Sequence, residues 1–411
     1  MTSASRYLFC ALIAGSLVAC GDDDDAETDA GPAPPPPPAD AGTTDSGPRD
    51  TGPSDAGSPD AGPAPSACAD VSRVYATTSA FMNPMAESAV IDLESREVRV
   101  GAMPSADQDH VAVRAGCRVF ELLRTTSVVE LRDATDPLVI ERSWSLADGG
   151  LGNPQDVAWI SDDKAYVALL ARDEIVVLDP TRDAVRGTID LSAFRREEDT
   201  DGHVEASALA VVGDRAYVVL GRYVIGFPSM FPVPATVAVI DTTTDSVIDV
   251  DPASAGVQGI DLSVQNPVSL FHDAPRDRLI VAGPGNYGVR DEGGLEAIDL
   301  ESMRASGLIV DEAAVGGADV TAFRADGEMA FVVTSDDSFV TRVHRYSLGE
   351  DDLSLDEVGV TSTPVVIAAR DELWVGLFDG VQIHRASTGE PLLEMPLAVG
   401  SFAPYSLIAI P

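Results

Sequence analysis

A four-step pattern of short apolar runs recurs along this chain, and it constrains the fold more than any other feature. It is clearest in Val157-Ala-Trp-Ile160, a turn at Ser161-Asp-Asp163, then Ala165-Tyr-Val-Ala-Leu169, Glu174-Ile-Val-Val-Leu-Asp179 and Ala184-Val-Arg-Gly-Thr-Ile-Asp-Leu191. These runs are rich in Val, Ile and Tyr, end at Asp, Gly or Pro, and show little helical periodicity, so each reads as a strand. The order returns in Leu209–Val212, Ala216–Leu220, Val237–Asp241 and Ser246–Ile248, and again in Val268–Phe271, Arg278–Val281, Glu296–Leu300 and Ala305–Val310. Two more copies start near Val320 and Val365, and a divergent one near His110. Units of about forty residues with four strands each are the blades of a β-propeller.

An incomplete copy at the front fixes the count. Arg73–Thr78, Ser88–Asp92 and Glu97–Val100 supply the second, third and fourth strands of a blade with no first strand before them. The run Pro404-Tyr-Ser-Leu-Ile-Ala-Ile410 matches the openings at Pro154, Pro267 and Pro364, and would complete that blade. Closure of this kind leaves no exposed sheet edge. One composite blade and six others give an all-β, seven-bladed propeller, a single domain over residues 70–411.

The same residues carry a family resemblance. The Val/Ala-x-Ile/Leu-Asp turns at Asp92, Asp179, Asp241 and Asp299, with the Pro-led first strands, resemble the YVTN-type propeller repeat of bacterial surface proteins. Val129-Glu-Leu-Arg-Asp-Ala-Thr-Asp-Pro137 is closer to the related LVIVP repeat. The resemblance implies the fold and not an activity, since propellers host many unrelated functions.

Residues 1–19 read as a signal segment: Arg6 precedes an apolar stretch, Tyr7 to Ala19, that is too short to span a bilayer. Leu17-Val18-Ala19-Cys20 resembles the lipobox of bacterial lipoproteins, which implies lipidation of Cys20 and a membrane anchor. Gly21 after it resembles outer-membrane sorting in Gram-negative bacteria, while Asp22 departs from that pattern. The expected location is the bacterial cell envelope.

Residues 20–69 have another character. Asp22 to Asp25 are acids, Pro34 to Pro38 prolines, and Asp-Ala-Gly recurs at Asp29, Asp40, Asp55 and Asp60. From Gly21 to Ala67 Arg49 is the one basic residue, and almost nothing apolar exceeds alanine. Such a segment cannot bury enough surface to offset its ordering entropy and is expected to be a disordered, extended tether. Its full reach approaches ~140 Å.

The net charge of −40, with Lys164 the single lysine, excludes nucleic acid as a partner, because phosphate binding needs basic surface. It also repels anionic headgroups, so attachment rests on the acyl anchor. Of four cysteines, Cys10 leaves with the signal and Cys20 is lipidated; Cys68 and Cys117 remain as a disulfide candidate in an oxidising compartment.

Turn lengths divide the disc into two unlike faces. First-to-second and third-to-fourth connections are tight, as at Ser161–Asp163, Gly213-Asp214, Asp326-Gly327, Arg370-Asp371 and Pro180–Asp183. The long insertions, Ser79–Glu87, Phe194–Glu205, Gly221–Ala235, Asp251–Asn266 and Gly283–Gly294, all fall in second-to-third connections or crossings between blades. Elaborated loops on one face of a rigid scaffold are where binding residues are held. On that face Arg222, Tyr223, Phe227, Met230 and Phe231 form an apolar segment that either packs down as a lid or anchors a partner, and Asn286, Tyr287 and Arg290 offer polar contacts. Asp109, Asp156, Glu205 and Asp319 open first strands near the channel mouth, where convergent carboxylates would hold Ca²⁺; solvated loop ends are the plainer reading.

Catalytic strings are missing. Gly283-Pro-Gly-Asn-Tyr-Gly288 fits a dinucleotide fingerprint as a string but precedes no helix. Asp199-Thr-Asp201-Gly202 is a fragment of a calcium loop, the five histidines are dispersed, and no G-x-S-x-G elbow occurs. The leading expectation is a tethered, non-enzymatic propeller presenting one face to a protein or glycan. The alternatives are a metal-dependent enzyme resembling lactonase or quinoprotein propellers, and a purely structural envelope protein.

Overall fold

A computed structural model of the chain describes residues 70–79, 85–101, 105, 107–147, 150–224, 230–289, 292–338, 340–360 and 364–411. The signal segment, Cys20, the tether with Cys68, and the loop residues Phe227 and Arg290 lie outside them. Among the described residues no helix is long and apolar enough to cross a membrane.

Seven antiparallel sheets follow one another round a ring. Their innermost strands, in ring order, are Ala403–Ile410, His110–Ala115, Pro154–Ser161, Ala206–Val212, Ser269–Asp273, Asp319–Asp326 and Val365–Ile367, which open blades 1 to 7. Blade 1 is the composite expected: Ala403–Ile410 lies against Arg73–Ser79 with Arg73 opposite Ile410 and Tyr75 opposite Ile408. Arg73 Nε also donates to the Pro411 carbonyl at 2.9 Å.

Two blades depart from the four-strand plan. Blade 4 gains a short strand, Ile260–Asp261, which pairs with Thr236 and Val237 inside what the sequence suggests is a plain loop. Blade 7 has Val365–Ile367, Glu372–Leu377 and Gly380–Arg385, and its outer edge is covered through the isolated bridges Val381 to Leu397 and His384 to Pro391. Pro391 and Pro396 remove two donors from that covering segment, so a continuous ladder cannot form.

The apolar cores lie between blades. Each neighbouring pair encloses its own cluster, such as Tyr166, Ile175, Phe194 and Val218 between blades 3 and 4, or Ile91, Trp374, Ile383 and Leu407 between blades 7 and 1. Second strands are apolar on both faces for this reason; Ala165 to Leu169 are all buried. The interface between blades 1 and 2 holds the smallest cluster, Tyr75, Val90, Ala112, Val119 and Ile410. A buried polar group completes it: Glu121 accepts from Tyr75 Oη, Ser88 Oγ and Arg132 Nη2. Burial pushes the Glu121 carboxyl up, yet the Arg132 guanidinium, His110 and those hydroxyls outweigh it and hold the group below the usual glutamate value.

The tight-turn face is self-satisfied. The aspartates of the repeat signature accept backbone amides two or three residues on: Asp92 from Ser95 at 2.7 Å, Asp179 from Thr181 at 2.9 Å, Asp241 from Thr243 at 2.8 Å and Asp299 from Ser302 at 2.7 Å. Later in three of these turns, and in the matching turn of blade 6 after Ser347, sits a left-handed residue: Arg96, Asp245, Met303 and Asp351, with φ of 61°, 54°, 56° and 51°. Each reaches the preceding blade: Arg96 bonds Glu372, Asp245 bonds Lys164, Met303 Sδ accepts from Tyr217 Oη, and Asp351 bonds Arg278. Cys117, in the turn joining the first two strands of blade 2, is disulfide-bonded.

Candidate functional site

Inner strands shape the channel through a shared irregularity. The ladder skips Tyr405, Gln155, Ser207 and Thr321, each the second or third residue of its strand, so four blades carry a bulge near the loop-rich face. A bulge turns the next side chain out of the pleat. Ser406 thereby accepts the Ala112 amide of blade 2 at 2.9 Å, and Asp156 the Leu209 amide of blade 4 at 2.8 Å. Ser207 donates to the Pro267 carbonyl of blade 5 at 2.6 Å.

Charges and tyrosines line the mouth. Tyr405 donates to Asp109 Oδ1 at 3.0 Å, and Arg124 Nη1 lies 3.5 Å from the same oxygen. Burial, reinforced by Asp109, raises the Tyr405 hydroxyl well above its ordinary value. Tyr287 lies near enough to both Tyr405 and Tyr223 to raise each further. Its loop is tied to blade 6, since the Gly288 amide donates to both Asp319 oxygens at 3.1 Å. Deeper in, burial lifts Asp156 to about 6 and lowers Arg324 to about 10, while each steadies the other's charge from blades 3 and 6.

A second acidic group stands at the crossing into blade 4. Glu205, fully buried and left-handed at φ 47°, accepts the Tyr223 amide at 3.1 Å through Oε2, while Oε1 finds no hydrogen-bond partner among the described residues. Burial first, then Asp201, raises its carboxyl to about 9. The same two causes raise Asp199 to about 6.

The four carboxylates expected to converge on a cation do not do so. Asp109 is engaged by Tyr405 and Arg124, Asp156 by the Leu209 and Val157 amides, Asp319 by Gly288 and Glu205 by Tyr223. Among the described residues no three His, Cys, Asp or Glu side chains form a group that could hold a metal ion. Each acid belongs to a different blade, and Asp109, Asp156 and Asp319 each bond a group of a neighbouring blade.

The lid segment resolves into two parts. Arg222 is buried, donating to the Pro234 carbonyl at 2.9 Å and to Asp261 at 2.9 Å, so its guanidinium holds the two ends of the loop together. Tyr223 is likewise buried, its ring 5.7 Å from that of the half-buried Phe231. A Cβ at Gly221 would fall 2.5 Å from the Tyr223 ring, which explains the glycine there. Met230 remains 59% exposed. Asn286 and Tyr287 are half-buried beside the channel.

Met230, a candidate from the sequence, is the first of a series whose other members sequence reading missed. The second-to-third connections of blades 5, 6 and 7 carry Val289, Val340 and Phe378, which are 40%, 44% and 76% exposed. One apolar residue per loop leaves no pattern in a linear string; the blade positions create it. Arg124, Arg324 and Tyr405 were missed for the same reason, although Tyr405 follows the strand-opening Pro404.

Solved structures share the architecture. Apo AztD from Citrobacter koseri superposes with a TM-score of 0.53 at 12% identity, covering 83% of this chain and 98% of that one. A Bacteroides uniformis protein provisionally assigned as a 6-phosphogluconolactonase gives 0.54 at 10% identity, over 83% and 99% of the two chains. The Cps50 (Swd1) propeller domain of Myceliophteria thermophila gives 0.51 at 13% identity, over 78% and 95%. At such identities the likeness shows the propeller fold alone. No family model and no curated protein matches the chain.

Proposed function

We propose that this chain is a lipid-anchored protein of the bacterial cell envelope, seated at the outer membrane, whose propeller binds a protein or glycan partner through its loop-rich face. The observation that carries the reading is the contrast between faces. Turns on one face are closed by aspartate–amide bonds and interblade contacts. The other leaves an apolar side chain uncovered in the second-to-third connections of four adjacent blades, at Met230, Val289, Val340 and Phe378, whereas the tight-turn face uncovers Val139 and Ile140 in blade 2. Uncovered apolar surface on a rigid scaffold marks interaction sites when it is contiguous. Anchoring is supported by Leu17-Val-Ala-Cys20 and by the acidic, proline-rich stretch that follows. The metal-dependent enzyme alternative requires a donor set that the described side chains do not assemble.

Two measurements on the whole chain test this reading. Cys20→Ser should abolish incorporation of labelled palmitate and move the protein from the membrane to the soluble fraction; unchanged membrane retention would refute the anchor. Cross-linking to envelope extract should capture a partner, and Met230→Ser with Phe378→Ser should lose it. Capture indifferent to both substitutions would refute the loop-rich face as the binding face.

A further inference from the structure

Singly exposed apolar residues are ordinary on protein surfaces. Four in succession stand at equivalent connections of adjacent blades, an order that the other exposed apolar residues, such as Val139, Ile140 and Met395, do not share. Phe378-Asp379 is a two-residue hairpin turn, a place where chains use Gly, Asn or Asp. The equivalent connections of blades 2 and 3 are Arg124-Thr-Thr-Ser127 and Leu170-Ala-Arg-Asp173, and there the apolar residue, Leu170, is buried. Among the described residues the series therefore spans blades 4 to 7.

Its charge selects the occupant. Asp337 and Asp379 are exposed in the connections that carry Val340 and Phe378, and the Asp261 side chain, near the Met230 hairpin, is 64% exposed. The chain as a whole carries −40. The acidic stretch Gly21–Ala67 has the same sign and almost nothing apolar to offer, and a second copy of the chain would be repelled likewise. An anionic bilayer is disfavoured on the same ground.

The geometry points to a docking strip across blades 4 to 7 for a basic, amphipathic polypeptide, an inference that rests on the binding reading above and adds the chemistry of the partner. Apolar side chains of such a partner would cover Met230, Val289, Val340 and Phe378, while its cations meet Asp337 and Asp379. Electrostatics would speed encounter and apolar contact would hold the complex.

The test uses the full-length Cys20→Ser protein and a short synthetic Leu/Lys amphipathic peptide, followed by fluorescence anisotropy at low and physiological salt. The peptide should bind, and the double substitution Met230→Ser, Phe378→Ser should weaken it about tenfold or more. Both side chains are exposed, so the thermal midpoint should be unchanged, which separates lost contact from lost fold. Equal binding by parent and double variant overturns the inference, as does equal binding of poly-lysine, which would reduce the effect to charge. Preferential binding of phosphatidylcholine vesicles also overturns it, by naming a bilayer as occupant. Capture of an envelope partner that needs Met230 and Phe378, with no peptide binding, refutes the partner chemistry and leaves the binding reading intact. Capture indifferent to them, with no peptide binding, ends both.

Discussion

Asp245, left-handed in the third-to-fourth turn of blade 4, receives the ammonium of Lys164 in blade 3 at 2.8 Å and also accepts from Tyr166 Oη. The one lysine of the chain is thus spent on a contact between blades. Asp245→Ala leaves the Tyr166 hydroxyl and Lys164 without that acceptor and places a Cβ-bearing residue with no local hydrogen bond in the left-handed region. It is expected to cost about 1–3 kcal/mol of unfolding free energy, measured by urea denaturation. Asp245→Asn, which tolerates the conformation and keeps an acceptor, should cost less. Equal losses would show that the contact does not join the blades.

Glu205 predicts a pH dependence of definite sign. Its carboxyl is neutral in the fold up to about 9, whereas an unfolded glutamate ionises near its ordinary value of 4.5. The folded state therefore holds the extra proton, and the stability this group permits is complete below the unfolded pKa and is lost as pH rises through about 9. Glu205→Gln should match the parent near pH 4 and become progressively more stable than it toward pH 9. Parallel curves for the two proteins in pH-dependent thermal unfolding would contradict the assignment.

The signature aspartates act in the opposite direction. Hydrogen bonds from Thr243 and Thr244 hold Asp241 down at about 2, and Asp92, Asp179 and Asp299 are lowered by equivalent bonds. Their contribution is present above the unfolded aspartate value and is lost as pH falls through the depressed one. Asp241→Ala should be less stable than the parent at neutral pH, with the gap closing as pH approaches 2, when followed by circular dichroism. A gap that persists in acid would mean that the turn is not held by the carboxylate.

Ring closure rests on apolar packing as much as on the ladder. Leu407, on the closing strand, is buried beside Trp374, Ile91 and Ile383. Leu407→Ala is expected to cost about 2–5 kcal/mol by calorimetry or denaturant titration. A loss no larger than that of an exposed-strand substitution such as Val185→Ala would place the closing strand outside the cooperative core.

The ring was legible in the sequence because each blade repeats a local pattern. Val157 to Leu191 states four strands and three turns without reference to any distant residue, and the missing strand before Arg73 had its counterpart at Pro404. The signature aspartates were legible as turn residues because their amide partners lie two or three positions away. The mouth was not. Tyr405 meets Asp109 across 296 positions, and Thr77 meets Ser406 across 329, so no window of sequence contains either pair. Carboxylates opening successive strands suggested convergence, but a strand opening says which face a residue is on and not which neighbour claims it. The irregular edge of blade 7 escaped too, because the segment after Arg385 has no alternation from which to read a strand.

The partners in the closing pair, Arg73 and Pro411, are separated by 338 positions. During synthesis, a chain built this way holds six blades and an unfinished seventh with an open flank until residues 403–410 emerge. Non-local pairing of this span is slow to form, and until it does the first blade's second strand offers an unpaired edge to any other extended peptide. The architecture favours closure of the ring as a late folding event; for the same reason, a truncation of a few C-terminal residues would be felt at the very front of the domain.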